Sequence, residues 1–317
     1  MSISNALHHK VGLTVLRAEH MGMCFGVRDA IALAERVTQS RPLTVLGELV
    51  HNPVVLDDLR GRGVRFENQP GEVETETVMI TAHGASEQVR DRALENGLEL
   101  RDATCPLVSK IHKEVENFDK KNLPVILIGH RNHPEVIGTM GQTDKKIHLV
   151  EKVEDVKKLP LNQNDEIAYV TQTTLSVDDT KDIIKEIKLH FSNVIEPKKN
   201  DICYATTNRQ EAVKKIANQC DYFLVIGASN SSNSLRLVEV AKNYGSKKAI
   251  LVEDVDSLNL NIFQESENIG ITASASSPEI LVRKLLDNLK KNFELQVNEG
   301  HYQKEDVFFK VPQKLNV

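Results

Sequence analysis

The chain has 317 residues, with 40 Lys and Arg against 45 Asp and Glu, a net charge of −5. That balance supplies no overall basic field for nucleic acid or an anionic membrane, and no apolar run approaches the roughly 20 residues of a spanning helix. The length exceeds one ordinary core and, at roughly 100–200 residues per domain, predicts two or three domains.

The opening MSISNALHHK lacks the charged start and apolar core of a secretory signal, so the expected location is the cytoplasm, or an organelle whose targeting segment is absent. Cys24, Cys105, Cys203 and Cys220 are far apart and match no CxxC pattern. In a reducing compartment, such cysteines are read as metal-binding or catalytic rather than as disulfide partners.

Taken in chain order, Cys24 in MGMCFGVRDAIALAERV opens an amphipathic helical pattern. An apolar run, LTVLGELV, follows and ends in His51 and Asn52, and a second, VMITAHGAS, ends in His83. Cys105 in DATCPLVSKIHKEV precedes Pro106, a suitable first helical residue. After that helix come LPVILIGHRNHPEV, with His130, His133 and Glu135, and IAYVTQTTLS, with Thr173 and Thr174. Cys203 in NDICYATTNRQEAVKKIA opens a third helix, followed by YFLVIGASNSSNS and NIGITASASSPEI. The charged segments LDDLRGRGV, VEDVKKLP and VEVAKNYGSKK read as solvated helical connections. After about Asn292 the tail is polar, and its patch VFFKVP reads as a strand or strap against the body.

The spacings repeat. His51 lies 27 residues after Cys24, His133 lies 28 after Cys105, and Ser231 lies 28 after Cys203. The second polar clusters, at His83, Thr173 and Ser276, follow their cysteines by 59, 68 and 73 residues. Val-, Ile- and Leu-rich runs that give way to Gly- or Ser-rich turns and then helices predict buried parallel strands of an α/β fold. The turns then lie at the carboxyl ends of the strands, where open α/β sheets place ligands. The predicted organisation is three similar α/β units, 25–104, 105–202 and 203–290 completed by 11–24, with 291–317 as a tail.

Each of Cys24, Cys105 and Cys203 is predicted at a helix N-terminus, where exposed N–H groups and the helix dipole favour the thiolate that ligates metal. Three unrelated buried thiols are the plainer explanation, and Cys220 in NQCDYFLVI fits it. It does not explain why the other three share one context at matched positions. Three cysteines are one ligand short of a four-coordinate zinc or a cubane cluster, which leaves an open position. His51, His83 and His133 end equivalent strands, which points to a shared pocket. His130 is a weaker candidate, and His8, His9, His148, His190 and His301 are read as surface residues. Glu135 at a helix start either complements the dipole or, in a desolvated pocket, donates protons. Thr173 or Thr174 would bond a substrate hydroxyl or cap a helix; Asp178 and Asp179 suit a first helical turn. SNSSNS, with Ser231, Ser232 and Asn233, and SASS, with Ser276, carry more hydroxyls than capping needs and make a phosphate cradle. No GxxxxGK[ST] or GxGxxG pattern supports a nucleotide site.

With CFGV, LVHNPVV, AHGAS, DATCPLV, GHRNHPEVIGTMGQ, TQTTLS, DICYATTNRQ, SNSSNS and ITASASSPE in order, the chain resembles the 4-hydroxy-3-methylbut-2-enyl diphosphate reductase family from about Met21 to Leu281. That family ends the methylerythritol phosphate route to isoprenoid precursors. The resemblance implies three α/β domains in a pseudo-threefold arrangement around one central [4Fe–4S] cluster per chain, held by Cys24, Cys105 and Cys203. It implies that the iron without a cysteine takes the substrate's hydroxyl. Two electrons and two protons then remove that oxygen as water, giving isopentenyl and dimethylallyl diphosphates. On the same basis Thr173 and Glu135 lie near the hydroxyl, Glu135 supplies protons and His133 supports it. The diphosphate falls to His51, His83, Ser231, Ser232, Asn233 and Ser276, and His133 and Thr173 complete the implied substrate-binding set. The implied partners are the allylic diphosphate and an external donor such as a ferredoxin or flavodoxin, with no nucleic acid or membrane. Two departures stand out: Ser274 occupies a position usually glycine, and Met23 precedes Cys24 where an aromatic is more usual. A non-catalytic protein with a structural zinc or redox-sensing cluster, and a zinc hydrolase, are the competing readings.

Overall fold

A computed structural model describes residues 10–263 and 268–298. Among these the chain divides into two compact units, residues 24–207 and residues 10–23 with 208–298. The expected α/β class is met by three sheets in which every described pairing is parallel. The repeat boundaries at 25–104, 105–202 and 203–290 remain a proposal drawn from the cysteine spacing.

The unit spanning 24–207 carries two four-stranded sheets. The first is built from β2 (Leu43–Leu46), β3 (Arg65–Glu67), β4 (Thr77–Ile80) and β5 (Glu99–Asp102), in the order β3-β2-β4-β5. The second is built from β6 (Val125–Ile128), β7 (His148–Val150), β8 (Glu166–Thr171) and β9 (Asn193–Ile195), in the order β7-β6-β8-β9. Parallel neighbours need crossovers, which here are helical. The helices of this unit are α1 (Phe25–Thr38), α2 (Pro53–Gly61), α3 (Glu87–Glu95), α4 (Pro106–Lys120), α5 (Pro134–Met140), α6 (Val153–Val156) and α7 (Val177–His190); α2, α3, α5, α6 and α7 link strands of one sheet, while α1 and α4 lead from one sheet to the next. Helix α8 (Tyr204–Ile216) begins in this unit. In the other unit, β1 (Gly12–Arg17), β10 (Tyr222–Ile226), β11 (Lys248–Val252), β12 (Asn268–Ala273) and β13 (Glu294–Asn298) form a sheet ordered β11-β10-β12-β1-β13, with helices α9 (Ser232–Asn243) and α10 (Glu279–Asn292). Strand β13 puts the start of the polar tail on the sheet edge beside β1; the VFFKVP patch lies outside the described residues.

Register explains why the polar turns come in pairs. Leu46 is level with Ile80, Ile128 with Thr171, and Ile226 with Ala273. The two central strands of each sheet therefore end side by side, and the turns that follow them start from adjacent carboxyl ends. These central strands are buried on both faces because alternate side chains enter different cores. Ile126 and Ile128 join one cluster, with Ile167 and Ile187, while Val125 and Leu127 join another, with Ile111 and Val170. Leu224 and Ile226 likewise face Leu285 and Ile271, while Phe223 and Val225 face Leu237 and Cys220.

Gly270 in β12 shows how tight this packing is. A Cβ there would lie 2.5 Å from Phe223 Cδ2 and 2.8 Å from Cys220 Sγ. Overpacking of this kind costs about 1–3 kcal/mol. Gly270→Ala should therefore unfold at lower urea concentration than the parent, and Cys220→Ala in the same chain should recover part of the loss. An unchanged midpoint for the single variant would show that β12 has slack that the packing does not reveal.

Candidate metal centre and phosphate-binding turns

The three expected ligand cysteines occupy one backbone setting. The carbonyl of each accepts from the first helical turn, from Arg28 N at Cys24 O, Ser109 N at Cys105 O and Thr207 N at Cys203 O, at 3.1, 2.9 and 3.0 Å. Their chain segments are also spliced to the polar turns. Cys105 N donates to Ala82 O, beside His83, at 3.0 Å, and Cys203 N donates to Thr173 O at 3.1 Å. In the other unit Gly22 N donates to Ala273 O at 2.9 Å, the corresponding splice to the strand before SASS. Cys105 and Cys203 are thus neighbours of polar turns distant in sequence through one repeated hydrogen bond.

Within 24–207 the thiols are close enough to act on one another. Burial first, then the charge of Cys24, and lastly that of Cys203 push the Cys105 thiol up to about 12, against the backbone N–H groups of Leu107 and Val108, which lower it. This corrects the expectation that the helix start alone would favour a thiolate at Cys105: the N–H groups are present, but desolvation outweighs them without a cation. Among the described residues, no three His, Cys, Asp or Glu side chains converge tightly enough to hold a single metal ion. The fit of these cysteines to a larger group rests on other observations. The start of α1 closes on Cys105, where a Cβ on Gly26 would lie 2.7 Å from its Sγ. Thr206 N donates to Cys203 Sγ at 3.3 Å, with Thr206 Oγ1 3.1 Å away, the kind of N–H···S contact that tunes a cluster. Three half-buried, mutually repelling thiols with helical N–H groups suit a polynuclear cationic core that compensates their charge.

The expected histidines converge. The rings of His51 and His83 stack at 4.2 Å, and His133 stands edge-on to them at 5.7 and 5.8 Å. Burial is the main cause of the lowered pKa of His83, well below the usual range, and of His133, to about 3; neighbouring histidines add to both. His133 also caps α5, its Nδ1 accepting from Glu135 N at 3.2 Å, which leaves Nε2 to carry the proton of the neutral ring. The turn carrying His83 is held from behind. Gly84 has φ +81°, and a Cβ there would meet His112 Cε1 at 2.7 Å, so both backbone and space demand glycine. His112 is itself buried, its Nε2 has no hydrogen-bond partner, and burial lowers its pKa to about 4.

Glu135, only 2% exposed, accepts from Thr173 N at 2.6 Å and from Thr173 Oγ1 at 2.8 Å. Burial raises its carboxyl pKa to about 7; the Thr173 hydrogen bonds oppose the rise, and Asp201 adds to it. The carboxyl is therefore poised to hold or release a proton near neutrality. Thr174 instead accepts from Gln172 Nε2 at 2.9 Å, and Gln172 Oε1 accepts from His130 N at 3.0 Å, tying His130 to the strand end. Asp178 and Asp179 lie in the first turn of α7, where Ser176 caps Asp179 N at 3.2 Å. His148 and His190, expected on the surface, are only partly exposed; His8, His9 and His301 lie outside the described residues.

In the other unit, Ser231 caps α9 by accepting from Ser234 N at 3.3 Å, and Asn233 Oδ1 accepts from Ala275 N at 2.9 Å, joining the SNSSNS and SASS turns. Asn233 is 3% exposed and its Nδ2 has no partner, a buried amide donor ready for an acceptor. Ser232 and Ser276 are buried in the same turns. Ser274 costs no left-handed strain, because Asn122 and Asn132 are the non-glycine residues with positive φ among those described. Its hydroxyl is buried 2.9 Å from Ser277 Oγ and 3.3 Å from Ser276 Oγ.

Residues missed in sequence are Lys110 and the buried Asp201, an ion pair 91 positions apart, and His112. The DIC and SKIHKEV segments held the only signal, an acidic residue before one cysteine and basic residues after another.

The LytB protein family model matches residues 15–290. The 4-hydroxy-3-methylbut-2-enyl diphosphate reductase of Methylococcus capsulatus is 44% identical over 309 residues, spanning 96% of this chain and 98% of that protein. The reductase of the same name from Chromobacterium violaceum is 46% identical, over 95% and 98%. Among solved structures, the E-1-hydroxy-2-methyl-but-2-enyl-4-diphosphate reductase of Plasmodium falciparum superposes with a TM-score of 0.87 at 36% identity, covering 96% of each chain.

Proposed function

This chain belongs to the LytB protein family, and we propose that it is an oxidoreductase that removes the hydroxyl of 4-hydroxy-3-methylbut-2-enyl diphosphate as water. The reaction breaks the allylic C–O bond, consumes two electrons and two protons, and leaves isopentenyl or dimethylallyl diphosphate, according to which allylic carbon takes the second proton. The Glu135 carboxyl, 2% exposed and bonded to the backbone and hydroxyl of Thr173, is the observation that carries this reading, and burial raises its pKa to about 7. Cys24, Cys105 and Cys203 would hold one [4Fe–4S] cluster, which supplies the electrons in single steps and an iron free of protein ligands. An external donor such as a ferredoxin or flavodoxin would supply its electrons, and a reducing cytoplasm suits three cysteines that form no disulfide.

The chain's own groups supply the rest. Thr173 Oγ1 donates to the Glu135 carboxylate across 2.8 Å; once Glu135 is protonated that contact turns round, the acid donating to the hydroxyl while the hydroxyl passes its own proton on to the departing oxygen. His133 Nε2–H, on the capping residue of the same helix, is a second donor. Burial on this side excludes water that would compete for the proton. His51 and His83 bind phosphate oxygens, as do Ser231, Ser232, Ser276 and the unpartnered Asn233 Nδ2. In a dry site such hydrogen bonds to an anion are strengthened.

The test is direct: anaerobically purified protein should hold close to one cubane per chain by iron and acid-labile sulfide. With a low-potential reductant it should convert the allylic diphosphate to the two products. Full turnover by metal-free or zinc-only protein would overturn the proposal.

A linkage prediction follows from the histidines. His83 is held neutral by burial, and an incoming diphosphate favours its charged form, whereas His133 Nδ1 stays an acceptor for Glu135 N. Substrate binding near pH 7.5 is therefore expected to take up protons, seen in calorimetry as a binding heat that varies with the ionisation enthalpy of the buffer. A heat independent of buffer would rule out charging of this ring on binding.

A further inference from the structure

An ion pair between a fully buried carboxylate and a partly exposed ammonium joins the segments that carry two of the cysteines, and the reaction proposed above assigns no role to this pairing. Lys110, on α4 five residues after Cys105, donates to Asp201 Oδ1 at 2.8 Å and to the Lys199 carbonyl at 2.9 Å. Asp201 stands two residues before Cys203, and its side chain is 0% exposed. Its second oxygen accepts from Thr171 N at 2.9 Å, two residues before Thr173. Glu114, one turn further along α4, lies 3.5 Å from the same ammonium. Three segments thus meet at one carboxylate: the α4 turn that follows Cys105, the loop before Cys203, and the end of β8 before Thr173.

Stability alone explains this arrangement poorly. Withdrawing the Asp201 carboxylate fully, and the 27% exposed Lys110 side chain partly, from water offsets much of their attraction, and an apolar pair of the same size often serves a fold as well. Charge-assisted hydrogen bonds do supply direction and distance. Here they act on a loop whose residues 198–200 are exposed and which leads straight into Cys203. Without the pair, that loop would keep its covalent ends and lose the bonds that fix its distance from α4.

We propose that Lys110 and Asp201 are positioning residues that set the separation of Cys105 from Cys203 before any cluster is bound, and that Asp201, through Thr171, does the same for Cys203 and Thr173. The proposal rests on the reading of these cysteines as cluster ligands, so its test includes a measurement that needs no cluster. Full-length apo protein, wild type and the variants Lys110→Met and Asp201→Asn, is treated with a short and a long bifunctional thiol reagent. Peptide mapping then reads the Cys105–Cys203 cross-link.

The wild type should favour one reagent strongly. Both variants should lose that preference severalfold while keeping wild-type circular dichroism. After anaerobic reconstitution their cluster should be lost to a chelator about 10–100 times faster, the range typical of groups that support metal ligands. Where Lys110→Met fails to fold, Asp201→Glu decides: it keeps the charge and lengthens the arm by one methylene, so the preference should shift toward the longer reagent. Wild-type cross-linking preference and cluster lifetime in the folded variants would overturn the positioning role. A wild type without iron and sulfide would instead overturn the functional reading, while the cross-linking comparison would still stand.

Discussion

Cys105→Ser is expected to lose essentially all activity, with iron and acid-labile sulfide falling to background after anaerobic reconstitution. The thiol sits among Cys24 and Cys203 in a setting whose burial pushes its proton affinity up to about 12, so only a cation of high charge density keeps it ionised there. A serine hydroxyl is a far weaker acid, and its oxygen is a harder, shorter ligand than sulfur. The same loss is expected for Cys24→Ser and Cys203→Ser, because three ligands leave no redundancy. Cys220 is the internal control. It is 2% exposed, its Sγ lies 3.2 Å from the Ile216 carbonyl, and burial raises it to about 12 in an otherwise apolar cluster. Cys220→Ala should keep its full iron and sulfide content and lose about 1 kcal/mol of stability, as expected for removal of a small buried group. Retention of wild-type turnover by any of the three ligand variants would remove the basis of the proposed chemistry.

Glu135→Gln is expected to lower kcat by about 10²–10⁴-fold, the usual contribution of a positioned general acid, with little change in KM. Glutamine keeps the acceptor for Thr173 N and has an amide in place of the acid, so binding geometry survives while the transferable proton is lost. Wild-type kcat should fall as pH rises through about 7, where Glu135 ionises, and the residual activity of the variant should lack that limb. Stability should also fall with rising pH, over a lower window. Below about 4.5 the carboxyl is protonated in both folded and unfolded chains and contributes nothing to the difference. Between there and about 7 the unfolded carboxyl ionises while the folded one keeps its proton, so native stability falls across that window and levels off above it. The accumulated loss is on the order of 3 kcal/mol, and the uncharged glutamine avoids it. The metal-free variant should therefore resist urea better than metal-free wild type at pH 8 and lose that advantage at pH 4. Equal midpoints at pH 8 would show that the Glu135 carboxyl ionises in the folded chain without penalty.

Element types were legible in the sequence because they depend on local pattern. The runs before His51, His83, His133, Thr173, Ser231 and Ser276 lie at strands β2, β4, β6, β8, β10 and β12, and the three cysteines open α1, α4 and α8. The less apolar strands β3, β5, β7, β9 and β11 were not legible. Short and partly exposed, they are strands because a parallel neighbour pairs with them and not because of their own composition. Ser274 is the reverse case: a substitution that looked strained on paper sits at ordinary φ with its hydroxyl bonded.

The sequence by itself determined the parallel α/β architecture, the repeated cysteine and polar-turn spacing, and the short set of residues able to do chemistry. These follow from the two- and 3.6-residue periods and from residue type. The tertiary structure alone decided protonation and partnership. It made Glu135 an acid poised near neutrality, kept His83 and His133 neutral and raised the Cys105 thiol, because a pKa is set by burial and by charges brought from elsewhere in the chain. It likewise left Asn233 Nδ2 without a partner and brought Lys110 to Asp201. No local pattern encodes an encounter between residues 91 positions apart; it exists only once β8, the loop before Cys203 and α4 are packed together.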